Sequence, residues 1–261
     1  MATTETFNFF SKKSILFLLF FFCEIFSLLA QNPAADGFDL VNSDTKAIEI
    51  ADKTMEAMGG RKAWDKTRYI TWNFFGARKH IWDKWTGNVR IENLRDKSVS
   101  LININTNSGK IFRNNQYLVE PDSIAKYVKA AKGAWINDAY WLLMPFKLKD
   151  SGVTLKYLGE EKTANNEDAY LIGLSFKEVG NTPQNKYQVW VTKADNLVKQ
   201  WAYYAKADSE KSNFTLPWIN YTKHGKILIS GDRGERKLTE IKVLKKVDKK
   251  TFSDAQFSPK L

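Results

Sequence analysis

Between Lys186 and Tyr204, hydrophobic and polar residues alternate in two short runs that a polar segment separates. The first run reads KYQVWVT and the second LVKQWAYY, with KADN between them. Alternation with a period of two is typical of a strand whose two faces differ, and Asp and Asn favour turns. The stretch therefore predicts a β-hairpin, flanked along the chain by further strands of one antiparallel sheet.

The same period of two recurs in short segments before and after this hairpin. Gly, Asn and Asp occur in the connections between these segments. Short connections between consecutive strands favour an antiparallel meander over a parallel sheet. The predicted strands are residues 69–75, 78–84, 88–94, 98–105, 111–113, 116–119, 153–158, 169–176, 214–218, 226–230 and 236–244. A polar turn at residues 231–234 is expected to join the last two.

A helix is predicted ahead of the first strand. Ser43 or Asp44 can cap its start, and Gly59-Gly60 supplies the stop. An amphipathic helix of this kind lays its apolar stripe across a sheet. The residues on that stripe are Ala47, Ile48, Ala51, Met55 and Met58.

A helical insert is predicted inside the meander, in two parts. Asp122 or Ser123 can cap the first helix, and Gly133 separates it from an apolar helical segment over residues 134–144 that ends at Pro145. The second segment is apolar enough to be buried or to cover a cavity. Its apolar residues at helical spacing are Trp135, Ala139, Leu142 and Leu143.

The N-terminus has the layout of a secretory signal peptide. Lys12-Lys13 precedes an apolar run that continues almost unbroken to Ala30, with Glu24 as its only charge. A membrane anchor is the alternative, but the run is short for a span and Glu24 interrupts it. We therefore predict a signal peptide over residues 1–30, export to the periplasm, and one mature domain over residues 31–261.

Cysteine and charge narrow the possible functions. Cys23 is the only cysteine and lacks a lipobox, so the predicted mature chain has no disulfide, thiol nucleophile or cysteine-ligated zinc. The formal net charge is +11, which could favour binding to nucleic acid, anionic lipid or an acidic partner. The predicted export argues against nucleic acid. The densest basic cluster is either a solvated face or a membrane-attracted one. It comprises Lys242, Lys245, Lys246, Lys249 and Lys250.

One predicted strand pair carries a candidate polar site. If Thr86-Gly87 is a two-residue turn, Asp83 lies opposite Arg90, and Trp82 lies opposite Ile91. Asp83 and Arg90 could then act on a ligand together with Glu92 and His80. Alternation places His80 on the opposite face from Asp83, and an exposed cross-strand ion pair is the simpler interpretation.

No sequence motif predicts catalysis, a metal or a cofactor. His80 and His224 are the only histidines, and no ligand spacing around them suits a metal site. The chain has neither a Gly-x-Ser-x-Gly elbow nor a glycine-rich phosphate loop.

Aromatic residues are spread over most of the predicted elements. Large aromatics usually form core, but a curved sheet with apolar helices can also enclose an apolar ligand cavity. The residues predicted to contact such a ligand are Trp72, Phe74, His80, Trp82, Trp135, Trp141, Trp190, Trp201 and Tyr203.

Several segments resemble the superfamily of LolA/LolB-type lipoprotein carriers and a related bacterial envelope family. These are MEAMGGRKAW, AYWLLMPFKLKDSGVTLKYLGE, AYLIGLSF and YQVWVTKADNLVKQWAYY, and the resemblance covers residues 45–257. It implies an α+β fold, an incomplete antiparallel β-barrel of about eleven strands with helices covering its concave face. It also implies binding of acyl chains in outer membrane lipoprotein sorting. Arg68, Arg78 and Arg90 are all candidates for the carriers' functional arginine.

Together these features predict a monomeric, non-catalytic periplasmic carrier or sensor of an acyl chain, lipid or lipoprotein. One alternative is an envelope adaptor that docks on a membrane or protein partner through its basic surface. A second alternative is a hydrolase that uses His80 or Asp83.

Overall fold

The computed structural model describes residues 32–177 and 184–261. The chain divides into two units, Met1–Pro33 and Ala34–Leu261, and the elements below belong to the second. The predicted signal peptide lies outside the described residues.

The described part of Ala34–Leu261 combines antiparallel sheets with a few helices, which confirms the α+β class. The helices are α1 (Thr45–Ala57), α2 (Arg61–Lys66) and α3 (Pro121–Leu143), with 3-10 turns η1 (Met144–Lys147) and η2 (Lys249–Phe252).

The largest sheet contains eight strands. They are β1 (Tyr69–Phe74), β2 (Arg78–Asp83), β3 (Asn88–Asn93), β4 (Val99–Asn103), β5 (Ser108–Arg113), β6 (Gln116–Tyr117), β14 (Asp232–Arg233) and β15 (Arg236–Leu244). Their order across the sheet is β14-β15-β1-β2-β3-β4-β5-β6. The predicted meander is therefore confirmed for consecutive strands β1 to β6, and the chain returns at its end to add β15 beside β1.

Two further sheets lie within the described residues. A five-stranded sheet and a two-stranded sheet contain the remaining strands. These are β7 (Val153–Lys162), β8 (Asp168–Phe176), β9 (Lys186–Thr192), β10 (Val198–Tyr204), β11 (Phe214–Pro217), β12 (Thr222–His224) and β13 (Ile227–Ile229). The order across the five-stranded sheet is β11-β10-β9-β8-β7, and β12 pairs with β13. The hairpin predicted from Lys186 to Tyr204 is β9–β10. Neither large sheet closes on itself within the described residues, and the count of about eleven strands is not confirmed.

The turn between β2 and β3 differs from the prediction. Asp83 pairs with Asn88, and Arg90 lies opposite Ile81 rather than Asp83. The connection has four residues, because the Gly87 N–H donates to the Asp83 carbonyl and the Trp85 N–H donates to the Asp83 carboxylate. The expected two-residue turn at Thr86-Gly87 is therefore wrong, and so is the predicted pairing of Trp82 with Ile91, since Trp82 lies opposite Val89.

The helical insert is one continuous helix, α3, and the predicted break at Gly133 is wrong. A glycine inside a helix costs only about 1 kcal/mol relative to alanine. The helix buries Val128 and Ala131 before Gly133 and Leu142 and Leu143 after it, so packing on both sides outweighs that cost.

Pro145 ends α3 as expected, and Arg233 compensates for the proline. Because Pro145 has no N–H, the carbonyl of Trp141 lacks its helical donor. The Nη2 atom of Arg233 donates to that carbonyl at 2.7 Å. Arg233, predicted in a polar turn, lies instead in β14 with no exposed surface.

Helix α1 matches its prediction and packs on the second sheet. Its buried residues Ala47, Ile50 and Ala51 share a core cluster with the five-stranded sheet. Asp44 occupies the N-cap position, but its carboxylate accepts hydrogen bonds from the Tyr157 N–H and from Lys156 Nζ, both at 2.9 Å, rather than capping the helix. This contact fastens the start of α1 to β7.

Candidate functional site

An apolar cavity of about 210 Å³ lies where α3 meets strands of both large sheets. Its wall draws on α2, β2, the C-terminal half of α3, η1 and the adjoining ends of β7 and β8. The lining residues are Trp64, Trp82, Trp135, Ile136, Ala139, Tyr140, Leu143, Lys147, Asp150, Ser151, Val153 and Phe176. Eight of these twelve side chains are aliphatic or aromatic without a hydroxyl, so the cavity suits an apolar ligand.

Three indoles give the cavity its shape. Trp82 on β2 and Trp135 on α3 meet edge to face with ring centroids 5.1 Å apart. Trp64 on α2 stacks on Phe146 of η1 with centroids 4.4 Å apart, which orients the ring that lines the cavity. Both arrangements are favoured by the ring quadrupole, so the aromatic wall is held in place before any ligand arrives.

The polar residues of the cavity lie close together in the chain, around η1. Lys147 forms an ion pair with Asp150, and both side chains are about one third exposed. Burial raises the pKa of the Tyr140 hydroxyl well above its usual range, so this group stays neutral. An ion pair beside a neutral hydroxyl leaves no uncompensated charge on the lining residues.

The structure brings only two of the nine predicted ligand-contact residues to the cavity. Trp82 and Trp135 line it, and the other seven lie elsewhere. Trp72 and Trp201 are buried core residues, and Phe74, Trp141 and Tyr203 pack in aromatic clusters. Sequence reasoning missed most of the cavity wall.

Trp190 and Trp201 show that predicted ligand-contact residues lie on different faces of the same sheet. Trp201 lies opposite Val189, the neighbour of Trp190, so the two indoles project from opposite faces of the five-stranded sheet. Trp201 belongs to the core beneath α1, whereas Trp190 Nε1 donates to Glu161 at 2.7 Å on the other face. The two residues therefore cannot contact the same cavity.

His80 belongs to a buried polar cluster instead of the cavity wall. Its Nε2 lies 2.7 Å from Asp138 Oδ2, and its ring stacks on Trp72 with centroids 4.5 Å apart. Arg78 donates to both oxygens of Asp138 through Nε at 2.6 Å and Nη2 at 2.8 Å. Asn137 adds a fourth hydrogen bond to that carboxylate. The cluster joins α3 to β2 through a fully satisfied carboxylate.

Electrostatics in this cluster favour a neutral histidine and an ionised aspartate. Burial lowers the pKa of His80, and the hydrogen bond with Asp138 only partly opposes that effect. Burial alone would raise the pKa of Asp138, but hydrogen bonds with His80 and Arg78 outweigh it and hold that pKa below its usual range. Neither His80 nor Asp138 has exposed surface.

The other polar candidates are paired separately. Asp83 accepts two hydrogen bonds from Arg68, at 3.1 and 2.9 Å. Arg90 bonds to Glu92 and to the backbone carbonyls of residues 251, 254 and 255. The structure therefore does not join His80, Asp83 and Arg90 in one site.

Arg233 is a buried cation that the sequence pattern did not single out. Its guanidinium carbon lies 3.2 Å from the centroid of the Trp218 ring, and it donates to carbonyls of Trp141, Ser230 and Asp232. No carboxylate lies within ion-pair distance of it among the described residues. Burial lowers the pKa of Arg233 to about 9, which leaves it charged at neutral pH.

Residues 32–177 and 184–261 contain no group of three or more His, Cys, Asp or Glu side chains placed to hold a metal ion. Within the same residues, no helix has the length and apolar character needed to cross a membrane.

Comparisons with known proteins give distant likenesses only. No protein-family model and no curated protein matches the chain. A DUF1329 family protein from Desulfovibrio piger ATCC 29098 is similar at 11% identity, with 80% of this chain and 98% of that chain covered and a TM-score of 0.43.

Crystal structures of MucB are also similar. MucB has 9% identity, with 72% of this chain and 66% of that chain covered and a TM-score of 0.25. MucB in complex with MucA(peri) has 9% identity, coverage of 70% and 61%, and a TM-score of 0.23. The resemblance to LolA/LolB-type carriers is not confirmed by these comparisons.

Proposed function

We propose that this chain is a non-catalytic carrier or sensor that binds one apolar chain, such as an acyl tail, in the cavity beside α3. The observation that supports it is the lining, in which three indoles and five further apolar side chains surround about 210 Å³. Apart from the indole N–H groups, the polar groups there are an ion pair, a neutral hydroxyl and a serine, which suit an uncharged ligand segment better than an ionic one.

The size of the cavity limits what it accepts. Pockets for drug-sized ligands occupy roughly 300–1,000 Å³, so this cavity suits a single chain or the end of one better than a whole diacyl lipid. Each buried methylene contributes about 0.8 kcal/mol. A chain segment of moderate length would therefore gain several kcal/mol, enough to offset part of the cost of association.

The hydrolase alternative gains no support from the geometry. His80 has no exposed surface, Asp83 is paired with Arg68, and neither residue lines the cavity. A substrate would have to displace Trp72 or α3 to reach the imidazole.

Four features stay predictions from the sequence. These are the periplasmic location, the mature domain of residues 31–261, the monomeric state and a lipoprotein ligand.

A chain-length series tests the proposal. Delipidated protein is titrated by calorimetry with straight-chain fatty acids from hexanoate to palmitate, each below its critical micelle concentration. Affinity should rise about fourfold per added methylene, and then level off once the chain exceeds the cavity. Affinity that does not depend on chain length, or no binding at all, contradicts the proposal.

Tryptophan emission locates the bound chain. Trp135 lines the cavity and Trp190 lies on the outer face of the second sheet. The ligand-induced change in emission should therefore shrink in Trp135→Phe and persist in Trp190→Phe. The same loss in both variants would place the chain elsewhere.

A further inference from the structure

One end of the eight-stranded sheet gathers basic residues from three separate parts of the chain. Tyr69 pairs with both Asp83 and Leu244, so the start of β1 and the ends of β2 and β15 lie side by side. The residues just before β1, just after β2 and just after β15 therefore share this end of the sheet. A hydrogen bond from the Lys84 N–H to the Arg68 carbonyl, at 2.8 Å, joins the first two groups.

We call this surface the basic rim. Its cations are Arg61, Lys62, Lys66, Arg68, Lys84, Lys245 and Lys246, and the carboxylates on the same segments are Asp65, Asp83 and Asp248. Arg61 pairs with Asp65, and Arg68 pairs with Asp83. The rim consequently carries an excess of positive charge, and Lys62, Lys66, Lys245 and Lys246 are exposed.

An exposed indole stands within the basic rim. Trp85 in the β2–β3 loop is 57% exposed, although its Nε1 donates to the Asp65 carbonyl at 2.9 Å. The guanidinium of Arg68 lies 5.1 Å from the centroid of its ring. Tryptophan is enriched at membrane–water interfaces, where its apolar body and its polar N–H contact different layers.

The basic rim also adjoins the cavity. Trp64 on α2 lines the cavity, and Lys84 Nζ lies 4.7 Å from the centroid of the same ring. A surface seated on the rim would therefore lie next to the cavity wall, so lipid chains in that surface would be close to the site proposed for them.

We propose that the basic rim docks on an anionic lipid bilayer, with Trp85 entering the interface. Charge complementarity favours this partner, because cations spread over three segments match a diffuse sheet of headgroup charge. An interfacial indole among them adds contact with the bilayer that charge alone does not supply. Docking on a bilayer is a separate property from acyl-chain binding and does not depend on it.

Sedimentation with large unilamellar vesicles tests this docking. The wild-type protein should bind vesicles of phosphatidylcholine with 30% phosphatidylglycerol, and binding should weaken as salt rises. It should bind pure phosphatidylcholine vesicles much more weakly. Equal binding to both kinds of vesicle, or binding to neither kind, would overturn the proposal. Binding to neither kind would point to an acidic protein as the partner of the basic rim.

Two pairs of lysines give a matched comparison. Lys62→Gln/Lys66→Gln removes two charges from the rim and should weaken binding roughly thirtyfold. Lys206→Gln/Lys211→Gln removes the same charge from exposed positions in the β10–β11 loop and should have little effect. Equal loss in both double variants would refute a docking surface at the rim.

Trp85→Ala measures the contribution of the indole to vesicle binding apart from that of the charges. It should weaken binding to anionic vesicles while leaving the salt dependence unchanged, because the cations remain. Thermal melts check that each variant is folded. Failure of vesicle binding would leave the fatty-acid titration intact, so the docking surface and the cavity are judged separately.

Discussion

Removing the Asp138 carboxylate should be among the most destabilising single changes outside the hydrophobic core. That group receives hydrogen bonds from Arg78, His80 and Asn137 and has no exposed surface. Asp138→Ala would leave the buried imidazole and a half-buried guanidinium without their partner. Breaking a buried pair by removing one member costs roughly 3–5 kcal/mol.

The magnitude follows from what remains behind. The imidazole of His80 stacks on Trp72, so its Nε2 atom cannot turn to solvent without losing that contact. Arg78 is about 29% exposed on its side chain and can regain some water, which places the expected loss at the lower end of the range, about 3 kcal/mol.

Urea unfolding followed by circular dichroism measures this loss. The midpoint should fall in Asp138→Ala with an unchanged dependence of free energy on urea concentration. Asp122→Ala, at an exposed position in the first turn of the same helix, is the control and should cost less than about 1 kcal/mol. If Asp138→Ala costs no more than the control, the cluster does not hold α3 to β2.

Three further outcomes follow from buried groups. Burial lowers the pKa of His80 in the folded protein. As pH falls below about 6.5, the unfolded chain therefore binds a proton at this residue that the folded chain does not bind. His80 should then lower the unfolding free energy by up to about 1.4 kcal/mol per pH unit, and His80→Phe should lose that contribution in melts from pH 5 to 7. The slope that comes from His224, whose pKa burial also lowers, should remain in the variant. Arg233→Ala frees the Trp141 carbonyl and should cost about 1–3 kcal/mol in urea unfolding, whereas an unchanged midpoint would refute the role given to that contact. Trp201→Ala should cost roughly 3–5 kcal/mol in the same assay, and a loss below 1 kcal/mol would show that this indole is not core.

The strands were predictable because their signal is local. Alternation and turn residues placed β1 to β5 and the β9–β10 hairpin within a few residues of their observed ends. The register of β2 against β3 was not predictable, because it depends on hydrogen bonds from two loop N–H groups to Asp83. A two-residue turn and a four-residue turn leave the same alternation on both strands.

The candidate site was only partly predictable, because its residues meet through long-range packing. Trp82 and Trp135 were predicted as ligand contacts and do line the cavity. Trp64 was missed because α2 has six residues, too few for a helical period to stand out. Nothing in the local pattern around Arg233 signals burial, since its neighbours Asp232 and Gly234 are typical of an exposed turn.

The cavity itself is tested most directly by a pair of alanines on α3. Ala139 lines the cavity, whereas Ala131 is buried on the same helix away from it. Leucine at position 139 would occupy part of the 210 Å³, at the expense of about three methylene groups of ligand.

Calorimetric titration with laurate compares Ala139→Leu, Ala131→Leu and the wild-type chain. We expect roughly fiftyfold weaker binding in Ala139→Leu and unchanged affinity in folded Ala131→Leu, whose extra bulk affects stability instead. Laurate affinity that is the same in all three proteins would contradict a ligand site in this cavity.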